Sequence, residues 1–383
     1  MNALPFNVTK PAGNDDARFM DAALNFGRRH MGIAAPNPSV GTIIVKTDGA
    51  EPVAIARGVT AKGGRPHAET EALKMAGADA RGATAYVTLE PCAHHSKTPP
   101  CSSALIAAQV GRVVIAIEDP NPLVSGNGIR MLRDAGIETI VGIGAAQAKI
   151  DHAGHFRRVR DGRPHVLLKI AVSADGKTGL EGRKPARISG PVSMAEAHIL
   201  RATCDAIMVG SGTVLADNPK LDCRLPGMES RSPIRIVLDG SLRIPLDCHL
   251  VRTARERRLI VIAGENAPAD KAKVLEQSGV EVVHVACKRD RYRKMIMDEA
   301  MLELGKRGVT RLLVEGGPVL SASLLQSDLV DEAVVVRSPV TLGANAIDAI
   351  EGQPLEALLA SPRLKVIEER MLGEDRMIRL FRK

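Results

Sequence analysis

Histidine, glutamate and two cysteines stand at spacings that could hold a catalytic metal ion. The triplet HAE places His67 and Glu69 at the start of a helical pattern. The stretch PCAHHSKTPPC carries Cys92 just after a strand pattern and Cys101 at the start of the next helical pattern. Two thiolates and one imidazole are good zinc ligands, and three protein ligands leave the fourth tetrahedral position for water. Glu69 is placed to exchange a proton with that water without binding the metal.

This arrangement shares most of the signature of zinc-dependent nucleobase deaminases, which is H-x-E followed by P-C-x-x-C. The chain has H-x-E and P-C, but its two cysteines are separated by eight residues instead of two. Two other interpretations stay open at this point. His94 or His95 could complete a structural zinc site with the cysteines, which would leave HAE unexplained. A Cys92–Cys101 disulfide is also conceivable, although a reducing compartment disfavours it.

The elements that must position these residues alternate between strand and helix, which indicates an α/β fold. In the first part of the chain the predicted strands are 40–45, 52–58, 84–90, 112–119 and 138–143, and the predicted helices are 15–31, 67–77, 101–110, 128–136 and 145–164. In the second part the predicted strands are 165–173, 206–210, 234–239, 258–264, 280–285, 311–317 and 332–339, with helices near 193–203 and 294–308.

The last helical pattern of the first series ends at Gly162 and Pro164, so we expect a domain boundary there. The predicted organisation is a leader over 1–14, a first domain over 15–162 and a second domain over 163–383. A length of 383 residues agrees with two domains.

Composition narrows the class of ligand. The net charge is +8, but basic residues are dispersed and aromatic residues make up only 2% of the chain. Readers of single-stranded nucleic acid use stacking aromatic side chains, so anionic small molecules are the better expectation. The amino-terminal segment lacks the apolar core of a secretory signal, and no apolar run approaches the length of a spanning helix. We therefore expect a cytoplasmic protein with no membrane partner.

A family resemblance rests on motifs from both halves of the chain. These are APNPSVG, RPHAE, TLEPCAHHSKTPPC and EDPNPLVSGNGI, followed by LKIAVSADGKT, LRATCDAIMVGSGTVLADNPKLDCR and LLVEGG. From about residue 15 onwards the chain resembles the bifunctional deaminase–reductases of riboflavin biosynthesis. The resemblance implies a cytidine-deaminase-like α/β/α layered domain followed by a dihydrofolate-reductase-like α/β domain. It also implies zinc-dependent hydrolytic deamination of 2,5-diamino-6-(5-phosphoribosylamino)pyrimidin-4-one, and then NADPH-dependent reduction of the ribosyl side chain to ribityl.

The same resemblance implies roles for residues of the deaminase half. It makes His67, Cys92 and Cys101 the zinc ligands and Glu69 the catalytic proton shuttle. It assigns substrate binding to Asn37, His94 and Lys97, the last two at the ribose phosphate. The family often has histidine where this chain has Thr60, which would leave that substrate contact without a charge.

For the reductase half the chain lacks a complete Rossmann fingerprint, since Leu215 stands where a third glycine would follow Gly210 and Gly212. The Gly316-Gly317 turn between a strand and a helix suits either an anion site or a plain turn. The resemblance implies a substrate site formed by Lys169, Arg201, Leu221, Arg224 and Glu315. It implies an NADPH site formed by Ala171, Arg187, Thr213, Asp217, Gly316 and Gly317. The family commonly has tryptophan at the position of Arg187.

Two rival functions remain at the level of sequence. One is a deaminase of nucleic acid or free nucleosides with an accessory domain, and the other is a zinc-stabilised nucleotide-binding module without catalysis. We expect a phosphorylated pyrimidine as the partner, and a homo-oligomer that forms a dimer through the reductase domain.

Overall fold

The computed structural model describes residues 14–47, 51–93, 99–122, 124–183, 186–287 and 296–383. The chain forms two compact units that divide between Asp161 and Gly162. Each unit contains its own large sheet. Among the described residues, no helix combines the length and apolar character needed to cross a membrane.

The described part of the first unit contains five strands and six α-helices. The strands are β1 (Gly41–Lys46), β2 (Val53–Val59), β3 (Thr84–Val87), β4 (Arg112–Ile115) and β5 (Glu138–Val141). The helices are α1 (Asn14–Gly27), α2 (Ala68–Ala76), α3 (Cys101–Ala107), α4 (Asn127–Asp134), α5 (Ala145–Asp151) and α6 (Ala153–Asp161). The sheet order is β2-β1-β3-β4-β5, in which β1 is antiparallel to β2 and β3, while β3, β4 and β5 are parallel.

Apolar residues cover both faces of this sheet, as its unbroken apolar strands predict. Side chains of α2, α3 and α4 pack on the face that contains Ile44 and Ile115. Side chains of α1 and α5 pack on the face that contains Ile43 and Tyr86. The unit is therefore an α/β/α sandwich, and the carboxyl end of β3 leads directly to Cys92.

The predicted single helix over 145–164 is wrong, because the chain breaks it into α5 and α6 at His152. This residue has φ −94° and ψ 9°. Its ring is buried, and Nε2 lies 3.2 Å from both the carbonyl oxygen and Oγ1 of Thr88, just beyond β3. The His152 imidazole thus contacts Thr88 at the end of a strand, and helical spacing in the sequence does not reveal such a contact.

The described part of the second unit contains eleven strands and seven α-helices. The strands are β6 (His165–Val172), β7 (Lys177–Gly179), β8 (Ala206–Gly210), β9 (Ile234–Leu238), β10 (Leu259–Gly264), β11 (Glu281–Val285), β12 (Arg311–Val314), β13 (Glu332–Arg337), β14 (Ile347–Asp348), β15 (Leu364–Leu372) and β16 (Asp375–Arg382). The helices are α7 (Pro191–Thr203), α8 (Ser211–Asp217), α9 (His249–Arg252), α10 (Ala269–Gln277), α11 (Met297–Lys306), α12 (Pro318–Gln326) and α13 (Glu356–Leu359).

Nine strands of this unit form one sheet in the order β11-β10-β9-β8-β12-β6-β13-β16-β15. The seven strands from β11 to β13 are parallel, whereas β16 runs antiparallel to β13 and β15 antiparallel to β16. The seven predicted strands are confirmed as β6 and β8 to β13, and the two predicted helices as α7 and α11. The β15–β16 hairpin was not predicted.

Charged side chains are buried near the amino ends of the parallel strands. The carboxylate of Glu332 is fully buried and accepts hydrogen bonds from His165 (2.9 Å), Arg311 (3.2 Å) and Arg379 (2.6 Å). Burial alone would raise the pKa of Glu332, but the bond from His165 and the charges of the two arginines lower it. The opposite, carboxyl edge of the sheet is the one at which parallel α/β sheets bind ligands.

Candidate active sites

Three predicted metal ligands of the first unit come together at the carboxyl end of β3. His67 is the N-cap residue of α2, and Cys101 is the first residue of α3. The Nδ1 atom of His67 lies 3.3 Å from Sγ of Cys101 and 3.7 Å from Sγ of Cys92. Two ligands of one tetrahedral zinc ion, one nitrogen and one sulfur, lie about 3.5 Å apart. The donor set and its spacing therefore fit zinc, with Nδ1 as the ligand atom of the histidine.

The two cysteines of this cluster form no disulfide, and the pKa values of their thiols are shifted in opposite directions. A hydrogen bond from the Cys101 side chain lowers the pKa of Cys92 to about 4, despite its burial. The same pairing raises the pKa of Cys101. The environment of Cys92 therefore favours the thiolate, which is the form of cysteine that binds metal. His94 and His95, the alternative ligands, lie outside the described residues.

Glu69 lies in the first turn of α2 and is buried, with only 3% of its surface exposed. Burial raises its pKa to about 7, and the negative charge of Cys92 adds to the shift. A carboxyl group with a pKa near neutrality can both accept and donate a proton at physiological pH. Its position two residues after His67 brings this proton-transfer group to the metal cluster.

The side chain of Asn37 lies beside the same metal cluster, whereas the hydroxyl group of Thr60 is hydrogen-bonded to the backbone. The Asn37 amide donates to the carbonyl oxygen of Gly64 at 2.9 Å and lies 3.5 Å from Nε2 of His67. The hydroxyl of Thr60 accepts a hydrogen bond from the Val40 amide at 3.0 Å and is buried. Thr60 thus stabilises the chain before β1. The predicted phosphate contacts His94 and Lys97 lie outside the described residues.

In the second unit a buried ion pair lies at the carboxyl edge of the sheet. Arg201 in α7 donates to the two carboxylate oxygens of Glu315 at 2.8 and 2.7 Å, and to the carbonyl oxygen of Asp222 at 3.0 Å. Burial would raise the pKa of Glu315, but Arg201 and the nearby Lys169 lower it. Lys169 is itself buried, and for this cationic group burial lowers the pKa. The Arg201 guanidinium group therefore holds the Glu315 carboxylate in one orientation through two hydrogen bonds.

The segment after α8 carries the other two predicted substrate residues. Arg224 has a half-exposed side chain, and its amide donates to Nδ1 of His198 at 3.3 Å. Leu221 is buried and has φ +54°, an uncommon left-handed conformation for leucine. His198 was not predicted. Burial lowers the pKa of His198, and the charges of Arg201 and Arg224 lower it further. The feature of the sequence that could have indicated His198 is its position one helical turn before Arg201.

A cavity of about 1110 Å³ opens at the carboxyl ends of β8, β9, β10 and β12. Glycine follows or ends each of these strands where the chain meets the cavity, at Gly210, Gly240, Gly264 and Gly316–Gly317. Backbones without side chains allow a phosphate-bearing ligand to approach closely. A volume above the range of drug-sized pockets, about 300–1000 Å³, has room for a dinucleotide.

Several predicted cofactor residues line this cavity. Thr213, Asp217, Gly316 and Gly317 do so, and a Cβ placed on Gly317 would lie 3.7 Å from Oγ1 of Thr213. Burial raises the pKa of Asp217.

The remaining predicted residues relate to the cavity in different ways. Ala171 lies behind the lining residue Thr178, whose hydroxyl donates to the Ala171 carbonyl oxygen at 3.0 Å. Arg187 is exposed and is not among the described residues that line the cavity. Glu315 also lines the cavity, so the Arg201–Glu315 pair lies at its border.

Family models match both parts of the chain. The cytidine and deoxycytidylate deaminase zinc-binding region matches residues 13–117. The RibD C-terminal domain matches residues 164–378. The second match alone covers more than half of the chain.

Relatives are similar to the chain along nearly its whole length. The riboflavin biosynthesis protein RibD of Escherichia coli K12 is 37% identical over 371 residues, which are 94% of this chain and 97% of that protein. The RibD protein of Actinobacillus pleuropneumoniae is 38% identical over 373 residues, which are 97% of this chain and 96% of that protein.

Solved structures show the same relationship. One form of Acinetobacter baumannii RibD has a TM-score of 0.83 and 33% identity, and the match covers 96% of this chain and 99% of that one. A Thermotoga maritima diaminohydroxyphosphoribosylaminopyrimidine deaminase/5-amino-6-(5-phosphoribosylamino)uracil reductase has a TM-score of 0.80 and 32% identity with the same coverage. The expected pair of folds, deaminase-like and dihydrofolate-reductase-like, is thereby confirmed. The chain belongs to the RibD family, the bifunctional enzymes of riboflavin biosynthesis that join a zinc-dependent deaminase to an NADPH-dependent reductase.

Proposed function

We propose that this chain deaminates 2,5-diamino-6-(5-phosphoribosylamino)pyrimidin-4-one by hydrolysis and then reduces the ribosyl side chain of the product to ribityl. The observation that carries the proposal is the buried carboxyl group of Glu69 beside the His67, Cys92 and Cys101 cluster. The substrate class is supported by the name of the Thermotoga maritima neighbour.

In the deaminase unit we assign the zinc ligands to His67, Cys92 and Cys101. Zinc, when bound, lowers the pKa of a water molecule and makes it nucleophilic at neutral pH. Glu69 would take up the proton of that water at its carboxylate and release it to the departing amine, and a pKa of about 7 allows both transfers at neutral pH. Asn37, held next to His67, is placed to contact the base or the ribose.

The phosphate of the substrate requires cationic partners in both units. In the deaminase unit we assign this role to His94 and Lys97, from the resemblance of their motif to the family. In the reductase unit we assign it to Arg224, whose half-exposed side chain is more accessible than the Arg201 side chain. Leu221 lies three residues before Arg224 in the same segment and completes the proposed substrate wall.

In the reductase unit we assign proton handling at the ribose to Lys169 and Glu315. NADPH supplies the hydride. Burial weakens the hold of Lys169 on its proton, which favours donation to an oxygen of the sugar. Glu315 stays ionised because Arg201 holds it, and the carboxylate can accept hydrogen bonds from sugar hydroxyl groups. We assign the NADPH contacts to Ala171, Arg187, Thr213, Asp217, Gly316 and Gly317.

The test is the Glu69→Gln variant, assayed separately for ammonia release and for NADPH oxidation. We expect it to keep stoichiometric zinc, to lose ammonia release, and to oxidise NADPH normally when given the deaminated substrate. Glu71→Gln on the same helix is the matched control and should behave like the wild type. Unchanged ammonia release by the Glu69 variant would refute the assignment.

Location and assembly are also part of the proposal. We place the enzyme in the cytoplasm, where its pyridine nucleotide and its free thiols are compatible with a reducing environment. We propose a homodimer that forms through the reductase unit, and domains that span 15–162 and 163–383. Light scattering on the full chain tests the dimer, and a monomeric mass at micromolar concentration would contradict it.

A further inference from the structure

Glu90 is a buried carboxylate of the first unit that the mechanism above does not use. It follows β3 and stands two residues before Cys92, and only 4% of its surface is exposed. A carboxylate at such a place needs several hydrogen bonds to offset the loss of water. Its partners therefore indicate what it is for.

Four backbone amides donate to this one side chain. The Oε2 atom accepts from the amides of Asp119 (3.2 Å) and Gly126 (3.1 Å), and Oε1 accepts from those of Gly128 (2.9 Å) and Ile129 (3.2 Å). Asp119 lies in the connection between β4 and α4, Gly126 is the last residue of that connection, and Gly128 and Ile129 lie in the first turn of α4. Glu90 therefore holds this connection and the start of α4 together.

The start of α4, which Glu90 contacts, also packs against Pro91, the residue before the proposed zinc ligand Cys92. A Cβ placed on Gly128 would lie 2.0 Å from the carbonyl oxygen of Pro91, so the backbone of α4 packs directly against Pro91. On the other side, the carbonyl oxygen of Cys92 accepts hydrogen bonds from Oγ of Ser102 at 2.9 Å and from its amide at 3.3 Å. The backbone that presents the Cys92 thiolate is thus held from two directions.

We propose that Glu90 is a positioning residue of the deaminase, which fixes the direction of the Cys92 thiolate by holding the β4–α4 connection against Pro91. This inference rests on the proposed zinc site. The four hydrogen bonds of Glu90 come from backbone amides and not from the described residues of the metal cluster, so Glu90 acts through the backbone on either side of Pro91.

The Glu90→Gln variant tests this with almost no change in shape. The amide retains one oxygen, but its NH₂ group faces two of the four backbone N–H groups, so donors oppose donors. We expect zinc transfer to a chelator to be faster, and kcat for ammonia release to fall, each by about 10- to 100-fold, the usual effect of losing a residue that orients a metal ligand. The KM of the deaminase should change less than kcat.

A spectroscopic readout separates positioning from general stability. In the cobalt-substituted enzyme, the thiolate-to-cobalt absorption bands report ligand direction, and they should shift in Glu90→Gln. NADPH oxidation on the deaminated substrate shows that the rest of the chain is folded. Glu118→Gln is the matched control, because Glu118 is exposed in the same connection and the substitution removes the same charge. It should leave all three measurements as in the wild type.

Wild-type zinc transfer, cobalt spectrum and kcat in a folded Glu90→Gln enzyme would overturn the proposal. Such a result would leave the zinc site itself intact, since the Glu69→Gln experiment and wild-type zinc stoichiometry test that independently. If Glu90→Gln does not fold, hydrogen exchange on the wild type decides. Removal of zinc should accelerate exchange at the amides of Gly126, Gly128 and Ile129, because coupling between two sites is reciprocal. Unchanged exchange there would overturn the proposal.

Discussion

The bidentate pair between Arg201 and Glu315 makes a quantitative prediction for the reductase. Lysine at position 201 keeps the charge but offers one point donor in place of a planar fork. It can reach one oxygen of Glu315, so Arg201→Lys loses one of the bonds of 2.7 and 2.8 Å and also the bond to Asp222. A hydrogen bond to a charged group contributes about 1.5–3 kcal/mol. If one such bond is lost in the transition state, kcat/KM falls about 10- to 150-fold.

The assay follows NADPH absorbance with the deaminated substrate supplied directly. Ammonia release in the same preparation is the internal control and should be unchanged, because Arg201 belongs to the reductase unit. Arg257→Lys is the matched control. Arg257 lies 3.5 Å from the carboxylate of Asp222, so it contacts the same residue as Arg201 through an ion pair to Asp222 and not to Glu315. A wild-type kcat/KM for Arg201→Lys would refute the view that fork geometry matters.

The pH dependence of Arg201→Gln gives a second check on the same pair. Burial pushes the pKa of Glu315 upwards, and Arg201 is a main reason why it lies below its ordinary value instead. Without the guanidinium the pKa of Glu315 should rise, so the acid limb of the reductase profile should move to higher pH. An acid limb that stays in place would show that Glu315 is not the group that must be ionised.

Three further predictions concern the deaminase unit. Asp16 is buried and accepts hydrogen bonds from Arg112 (2.8 and 2.7 Å) and Tyr86 (2.7 Å), and Arg112 lowers its pKa. This stabilisation is complete above about pH 4, the unfolded value of the Asp16 pKa, and is lost as the pH falls through the lower folded pKa. Urea unfolding should therefore show Asp16→Asn destabilised by about 1.5–3 kcal/mol at neutral pH, the worth of a hydrogen bond to a charged group, and its stability should converge on that of the wild type in acid. Gly41→Ala would place a Cβ 2.0 Å from the carbonyl oxygen of Ala23, so thermal unfolding should reveal a loss of about 1–3 kcal/mol or more, and an unaltered melting temperature would contradict this packing. Chelation of zinc should stop ammonia release and spare NADPH oxidation on the deaminated substrate, and loss of both activities would contradict the separation of the two sites.

The sequence was sufficient for the elements whose residues are buried on both faces. Strands such as 165–173 and 206–210 are continuous apolar runs, and the structure confirms them as β6 and β8. The metal cluster followed from placement, because His67 and Cys101 begin helices and Cys92 follows a strand. One rule was enough to predict that these three residues converge: the carboxyl ends of parallel strands, with the helices that follow them, lie at one edge of a sheet.

Elements that depend on long-range contacts could not be predicted in this way. β15 is an edge strand with most of its residues exposed, so it carries no apolar alternation to mark it. The break at His152 depends on Thr88, a residue 64 positions earlier. Arg201 and Glu315 were both predicted as substrate residues, but they are 114 positions apart, and only the fold shows that they form a pair.

The buried carboxylate of Glu332 also constrains how the second sheet can assemble. In the native register Glu332 lies opposite Leu167 of β6 and Phe381 of β16, and three cationic or imidazole side chains reach it. Successive residues of a strand point to opposite faces, so a slip of one residue would turn Glu332 away from all of them. Such a misaligned sheet would contain an unpaired carboxylate and uncompensated cations in its interior, at a cost of several kcal/mol. The contacts of Glu332 thus favour the native strand register at the junction between the parallel and antiparallel parts of the sheet.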